Sequence, residues 1–254
     1  MAIIRGAKPY ELGTGNQAVL LVHGLTGTPF EMRPLAEHLA EKGYFCRGML
    51  LPGHGTTPKD LDKRKWSDWF RAVESEQQSL LEKTGSPVFL AGISLGALLV
   101  MQLAAKRQER VSALAALSVP LKPSSRILWI ARLFKYSPLR PFLHLPRKNR
   151  DDEALDDLRL KNPSYDVMPS RALVELVDNI SKVGAILPQV IAPALVAHGR
   201  LDPTALLEGG RLAFDKLGSG HKEWLVLDRS LHLITLDTER EMLFHKISDF
   251  FRDS

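Results

Sequence analysis

Short apolar runs alternate with longer amphipathic stretches along most of this chain. Ala18–Val22, Tyr44–Leu51, Val88–Ala91, Val111–Val119, Ala194–His198 and Glu223–Leu227 each have the length and content of a buried strand. Between them, apolar positions recur at helical spacing. Met32, Leu35, Ala36 and Leu39 follow Pro29, a residue suited to a helix start. Trp66 to Glu82 has a charged outer face, with Ser67 in position to cap its beginning. Ala97 to Ala105 is rich in Ala and Leu, Thr204 to Leu217 is amphipathic, and Thr238 to Phe251 closes the chain behind Asp237 as a second capping residue. Residues 1 to 16 form a lead-in with room for one edge strand.

Strands alternating with helices of about a dozen residues predict an α/β protein, a mostly parallel sheet with helices on both faces. The rhythm stops after Pro120. From 121 to 187 the pattern predicts no strand, only the hydrophobic segment around Ile127, Trp129, Ile130, Leu133 and Phe134, prolines at 138, 141 and 146, an acidic run at 151 to 157, and a helix from Arg171 to Leu187. Because strands resume beyond it, this stretch reads as a helical cap inserted into a core made of residues 1–120 and 188–254.

The strand at Val88 runs directly into Gly92-Ile93-Ser94-Leu95-Gly96 and then a helix. A serine on such a sharp strand-to-helix turn is exposed on strained backbone, and small flanking residues let the chain pass. The first helical amides point at the same place, where a developing negative charge would be stabilised. Ser94 is therefore the candidate nucleophile, with the Leu95 amide as one charge-stabilising donor. A second donor belongs in the loop after the Ala18–Val22 strand, His23-Gly24-Leu25-Thr26-Gly27, and the amide of Leu25 is selected. A serine hydroxyl needs a base, and the base needs an acid to hold its tautomer. Of the eight histidines, His232 alone follows the last strand and precedes the last helix. Asp202, in the loop after Ala194–His198, is the candidate acid. Its other reading is a cap for the helix beginning at Thr204, and Asp228, after the last strand, is the second choice.

Taken together, these segments resemble the α/β-hydrolase superfamily along nearly the whole chain. The small bacterial carboxylesterases and monoacylglycerol lipases are most similar. The matching features are His23-Gly24-Leu25-Thr26-Gly27, Pro52-Gly53-His54-Gly55, Gly92-Ile93-Ser94-Leu95-Gly96, Gly199-Arg200-Leu201-Asp202 and the run from Ser230 to Asp237. The resemblance implies an α/β-hydrolase fold and a Ser94–His232–Asp202 triad with Leu25 and Leu95 as oxyanion donors. It also implies hydrolysis of carboxylic esters through an acyl-enzyme, without a metal or organic cofactor. Leu231 stands where these esterases usually carry glycine. The same triad would serve a thioesterase, and some members of the fold bind ligands without catalysis.

Composition narrows the partners. A net charge of +5, from 34 basic and 29 acidic residues, with no basic stretch interleaved with aromatics, argues against nucleic acid and leaves a small ester or lipid as the expected partner. Cys46 is the only cysteine, so no internal disulfide forms; its apolar setting predicts a buried thiol. No run of 18 apolar residues occurs and the N-terminus lacks a signal-type apolar region, so a cytoplasmic protein is expected. Residues 122 to 161 carry ten basic and five acidic residues, compatible at most with transient contact at a membrane surface. Oligomeric state has no sequence signal.

Overall fold

The computed structural model describes residues 3–136, 144–146 and 161–254. Nine strands are described: β1 Tyr10–Leu12, β2 Ala18–Val22, β3 Phe45–Met49, β4 Val88–Ile93, β5 Val111–Leu117, β6 His144–Pro146, β7 Val167–Pro169, β8 Ala194–Gly199 and β9 Lys222–Leu227. The helices are α1 Arg33–Glu41, α2 Pro58–Leu61, α3 Trp66–Thr84, α4 Leu95–Lys106, α5 Ser125–Tyr136, α6 Ser170–Ile186, α7 Leu207–Lys216 and α8 Arg240–Arg252. Seven strands form one sheet in the order β1-β3-β2-β4-β5-β8-β9. All pairs are parallel except the edge pair β1–β3, which places the expected edge strand in the lead-in.

The apolar strands are continuous because both sheet faces are covered. Their alternate residues divide between two cores. Ala18, Leu20 and Val22 of β2, with Val88 and Leu90 of β4, face a layer built from α3, α4, α5 and α6. Val19 and Leu21 of β2, with Phe89, Ala91 and Ile93 of β4, face α1 and α8. A residue spacing of two along each strand thus sorts side chains between layers. Helix α4 is apolar on nearly every side and correspondingly buried, from Leu95 to Ala105 with the exception of Gln102. Parallel strands put the loops after β2, β4, β5, β8 and β9 at one edge of the sheet, the edge where ligands bind in such folds.

The structure corrects three sequence expectations. The start of α3 is held by Asp68, whose carboxylate accepts the Lys65 amide at 3.0 Å, while Ser67 lies inside the first turn. Helix α8 begins at Arg240, and Asp237 turns its side chain to the Leu231 amide instead of capping that helix. The stretch from 121 to 187 does contain strands: β6 and β7 pair antiparallel. At three residues each, with a proline in both, they are too short for a period of two to register. The acidic run at 151 to 157 and Pro138 and Pro141 lie outside the described residues. Cys46 is fully buried in β3, and burial pushes its thiol up to about 12, which makes it an inert packing residue.

Candidate active site

Ser94 joins β4 to α4 with φ 56° and ψ −114°, a backbone that a side chain adopts only under strain of roughly 1–3 kcal/mol. The surroundings hold it there. Its amide continues the sheet by donating to the Leu117 carbonyl at 2.9 Å, and its carbonyl accepts the Leu98 amide at 3.3 Å. Gly92 and Gly96 are small because the chain crosses itself: a Cβ on Gly96 would strike the Val22 carbonyl, and one on Gly92 would strike the Gly96 carbonyl. That contact seats the start of α4 against the loop after β2. The Leu95 amide lies in the first turn of α4, where no intrahelical acceptor exists.

The loop after β2 is locked by side chains from elsewhere. Leu51 donates its amide to His23 Nε2 at 3.1 Å, so the ring proton is on Nδ1, which donates to the Gly24 carbonyl at 2.9 Å. Full burial holds the His23 pKa down, to about 4, so the ring is neutral at pH 7. The His54 ring packs edge-on against it at 4.8 Å, and burial likewise keeps His54 neutral. The Gly24 amide donates to Glu31 Oε2 at 2.9 Å. Gly27 returns its amide to the Gly24 and Leu25 carbonyls at 3.2 and 2.9 Å, and Thr26 takes φ 67° to complete the turn. Leu25 sits in the middle of this turn, its side chain buried.

Asp202 and His232 meet across 30 positions of sequence, with His232 Nδ1 donating to Asp202 Oδ2 at 2.7 Å. The other carboxylate oxygen accepts the Thr204 and Ala205 amides at 2.8 and 3.0 Å. The capping and the acid readings of Asp202 therefore coexist, one oxygen for each, and α7 begins three residues later than the pattern predicts. Burial opposes ionisation of Asp202, but the His232 imidazole, a hydrogen bond from His198 and the Thr204 amide outweigh it and hold the carboxyl well below the usual carboxylate range. Fully buried His198 brings Nε2 within 3.0 Å of the Ala205 carbonyl and 3.4 Å of Asp202 Oδ2. Asp228, the second-choice acid, is instead an exposed partner of Arg200 at 2.7 Å.

The histidine loop is tied down at several points. The Ser118 hydroxyl, at the end of β5, donates to the His232 carbonyl at 2.7 Å. Asp237 accepts the Leu231 amide at 2.6 Å. Glu239 accepts the Ser230 hydroxyl and the Arg229 amide at 2.7 and 2.8 Å. Leu231 is absent from the left-handed residues among those described, so its side chain is accommodated there without backbone strain. Sequence reasoning missed Glu31, Ser118 and the His198 contact. Only His198 gave a signal, its place beside a glycine turn. Among the described residues no group of three or more His, Cys, Asp or Glu side chains is arranged to hold a metal ion.

A strained serine after a central parallel strand, with an Asp–His pair in the loops after β8 and β9, defines the α/β-hydrolase class. Residues 14–239 match the Hydrolase_4 family, described as serine aminopeptidase, S33, and the chain belongs to that family. It is 31% identical over 256 residues to a thermostable monoacylglycerol lipase of Bacillus sp. (strain H-257), covering 98% of this chain and 96% of that protein. It is 24% identical to a carboxylesterase of Bacillus subtilis (strain 168), covering 96% and 95%. A solved structure from work on the metagenome-derived lipolytic enzymes LipS and LipT superposes over 100% of both chains with a TM-score of 0.88 and 30% identity. A monoacylglycerol lipase of Paleococcus ferrophilus superposes over 100% of both chains at a TM-score of 0.79 and 22% identity, a likeness of fold. Among the described residues no helix is long and apolar enough to cross a membrane.

Proposed function

We propose that this protein is a serine hydrolase of carboxylic esters, acting on short- to medium-chain acyl esters or monoacylglycerols. Ser94 attacks the ester carbonyl while His232 takes its proton, and Asp202 holds the imidazole with its proton on Nδ1. The amides of Leu25 and Leu95 receive the oxyanion. His232 then protonates the departing alcohol, water enters, and the acid is released. The observation that carries this reading is the 2.7 Å bond between His232 Nδ1 and Asp202 Oδ2, which leaves Nε2 as the atom for proton transfer. The similarity to a lipase and a carboxylesterase over nearly full length supports an ester rather than a peptide as substrate.

In the same reading, residues 121–187 are the cap over the catalytic edge and the remainder is the core. Contacts of the returning leg support this: Tyr165 donates its amide to the Thr26 carbonyl at 3.2 Å and its hydroxyl to the Gly53 carbonyl at 2.8 Å. The outer side of α5 exposes Leu128, Trp129 and Leu133 next to Arg126 and Arg132, which suits brief contact with a lipid surface by an otherwise cytoplasmic enzyme.

The test is a panel of nitrophenyl esters of rising acyl length and monoacylglycerols, run beside acyl-CoA thioesters and an amino-acid anilide, with fluorophosphonate labelling read by intact mass. Esters should be cleaved fastest and one adduct should form. Ser94→Ala should lose the adduct and about 10⁴–10⁶ in turnover. Near-normal ester hydrolysis by that variant overturns the assignment, and faster cleavage of the thioester or the anilide moves the substrate class.

A further inference from the structure

Glu31 lies in a 3₁₀ turn, Pro29–Met32, and is buried, although the catalytic steps make no use of it. A carboxylate removed from water is retained where donors are aimed at it. Besides the Gly24 amide on Oε2, Glu31 takes the Asn162 side-chain amide on Oε1 at 3.3 Å, and its main-chain oxygen takes the Thr235 hydroxyl at 2.6 Å. These donors belong to the loop after β2, the returning leg of the 121–187 segment and the loop that carries His232. One side chain with its own backbone therefore joins the three segments around Ser94. Gly27 adds an independent mark: a Cβ there would run into the Glu31 carboxyl group, so the loop is shaped around it.

The Leu25 N–H and the Gly24 carbonyl share one planar peptide unit and point in opposite directions. His23 and the Gly27 amide hold the carbonyl, and Glu31 holds the amide on the preceding unit. Rotation of the Leu25 N–H away from its target would break the two bonds to the Gly24 carbonyl, and the Glu31 bond anchors the adjoining unit against which that rotation would turn. We infer that Glu31 is a positioning residue that fixes the Leu25 amide in its donor pose, with Asn162 joining the 121–187 segment to the same latch. The inference rests on the reading of Leu25 as an oxyanion donor.

A donor used mainly in the transition state affects kcat more than KM. The experiment compares wild type, Glu31→Ala, Glu31→Gln and Gly27→Ala by kcat and KM on a soluble nitrophenyl ester and by amide hydrogen exchange over residues 23–27. Glu31→Ala should lower kcat about 10–100-fold with KM held within about 3-fold, because a misplacement of about 1 Å suffices for such losses. Exchange over 23–27 should quicken. Gly27→Ala, which pushes the carboxyl group off the loop, should do the same. Glu31→Gln should restore most of kcat, since its carbonyl accepts the Gly24 amide, and its NH₂ can donate to Asn162 Oδ1, a buried acceptor otherwise without a partner, once the Asn162 amide turns over to present that oxygen. The inference fails if Glu31→Ala and Gly27→Ala retain wild-type kcat, or if KM rises in step with the loss. A folded Glu31→Gln as slow as Glu31→Ala also overturns it. Should Glu31→Ala not fold, Gly27→Ala and Glu31→Gln decide. If the wild type cleaves no ester, exchange alone decides. A loosened loop upholds the latch and sinks the ester reading alone, while an unchanged loop sinks the latch.

Discussion

Ser94 and His232 are held in opposite ways. Around Ser94 the means are local and steric: a strained backbone, two glycines at ±2, and a helix that starts at once. In the loops of Asp202 and His232 no residue takes a positive φ, and position comes from side-chain bonds: Ser118 reaches in from the end of β5, while Asp237 and Glu239 tie the histidine loop from six to ten residues further along. A strained element stores energy that a substitution can release. A satisfied polar network loses energy with almost any substitution, because a buried partner is left unpaired. The two halves of one site should therefore respond to mutation with opposite signs of stability change even where both lose turnover.

The largest effect would come from Ser94→Gly set against Asp202→Asn. Both should lower turnover by about 10⁴ or more, the first by removing the nucleophile and the second by upsetting the His232 tautomer. In stability they should part. Glycine accepts φ 56° without strain, so Ser94→Gly should raise stability by about 1 kcal/mol relative to Ser94→Ala. Asp202→Asn should lower it by about 1–3 kcal/mol, since an NH₂ would face the Nδ1 proton of His232. Urea unfolding of the wild type and the three variants measures both differences, and equal signs would remove the distinction between the two halves.

Acid sharpens the contrast between the loop after β2 and the Asp–His pair. His23 has its pKa lowered by burial from 6.5 to about 4, so between these values the unfolded chain binds a proton that the folded one does not. Stability should rise with pH across that window and be lost as pH falls through it, by about 3 kcal/mol in full. His54, also depressed by burial, adds with the same sign. Asp202, depressed below the usual range, contributes stability that is present above about pH 4 and is lost only as pH falls below it. Thermal melts from pH 7 to 3 should show the first loss before the second, and His23→Asn should flatten the melting temperature between pH 6.5 and 4. A profile in which that variant and the wild type run parallel would place the acid sensitivity elsewhere.

The same division explains what was legible in the chain. Ser94 was visible because its strand, glycines and helix are contiguous, and the sheet was visible because both faces bury it. Asp202 and His232 could be selected by their places after strands, yet nothing in the linear pattern could tell that Asp202 would serve both the Thr204 amide and His232. Asp237 read as a helix cap because it precedes α8, whereas its carboxylate turns back to the Leu231 amide. Glu31 received no reading from the sequence, because nothing in its local pattern singles it out. Its partners Asn162 and Thr235 lie 131 and 204 positions away, beyond the range of any local rule. The pair β6–β7 escaped for the opposite reason, being too short and too rich in proline to carry a period.

The smallest expected effect tests a single tie. Ser118 has φ 49°, is fully buried, and donates its hydroxyl to the His232 carbonyl from the end of β5, a strand that carries none of the proposed catalytic residues. Its amide also donates to the Ala197 carbonyl at 2.9 Å, so the residue links β5, β8 and the histidine loop. Ser118→Ala removes only the side-chain bond. It leaves a part-buried carbonyl short of a donor, which should cost about 1 kcal/mol. Because Asp202 and Asp237 still hold the loop, turnover should fall by only about 3–10-fold, an amount matching a small loss of orientation. Ser118→Gly makes the same deletion while easing the positive φ, so it should be the more stable of the two at a similar rate. If instead Ser118→Ala matched Asp202→Asn in turnover, the histidine would depend on a single tether, and the picture of a loop secured at several points would have to be abandoned.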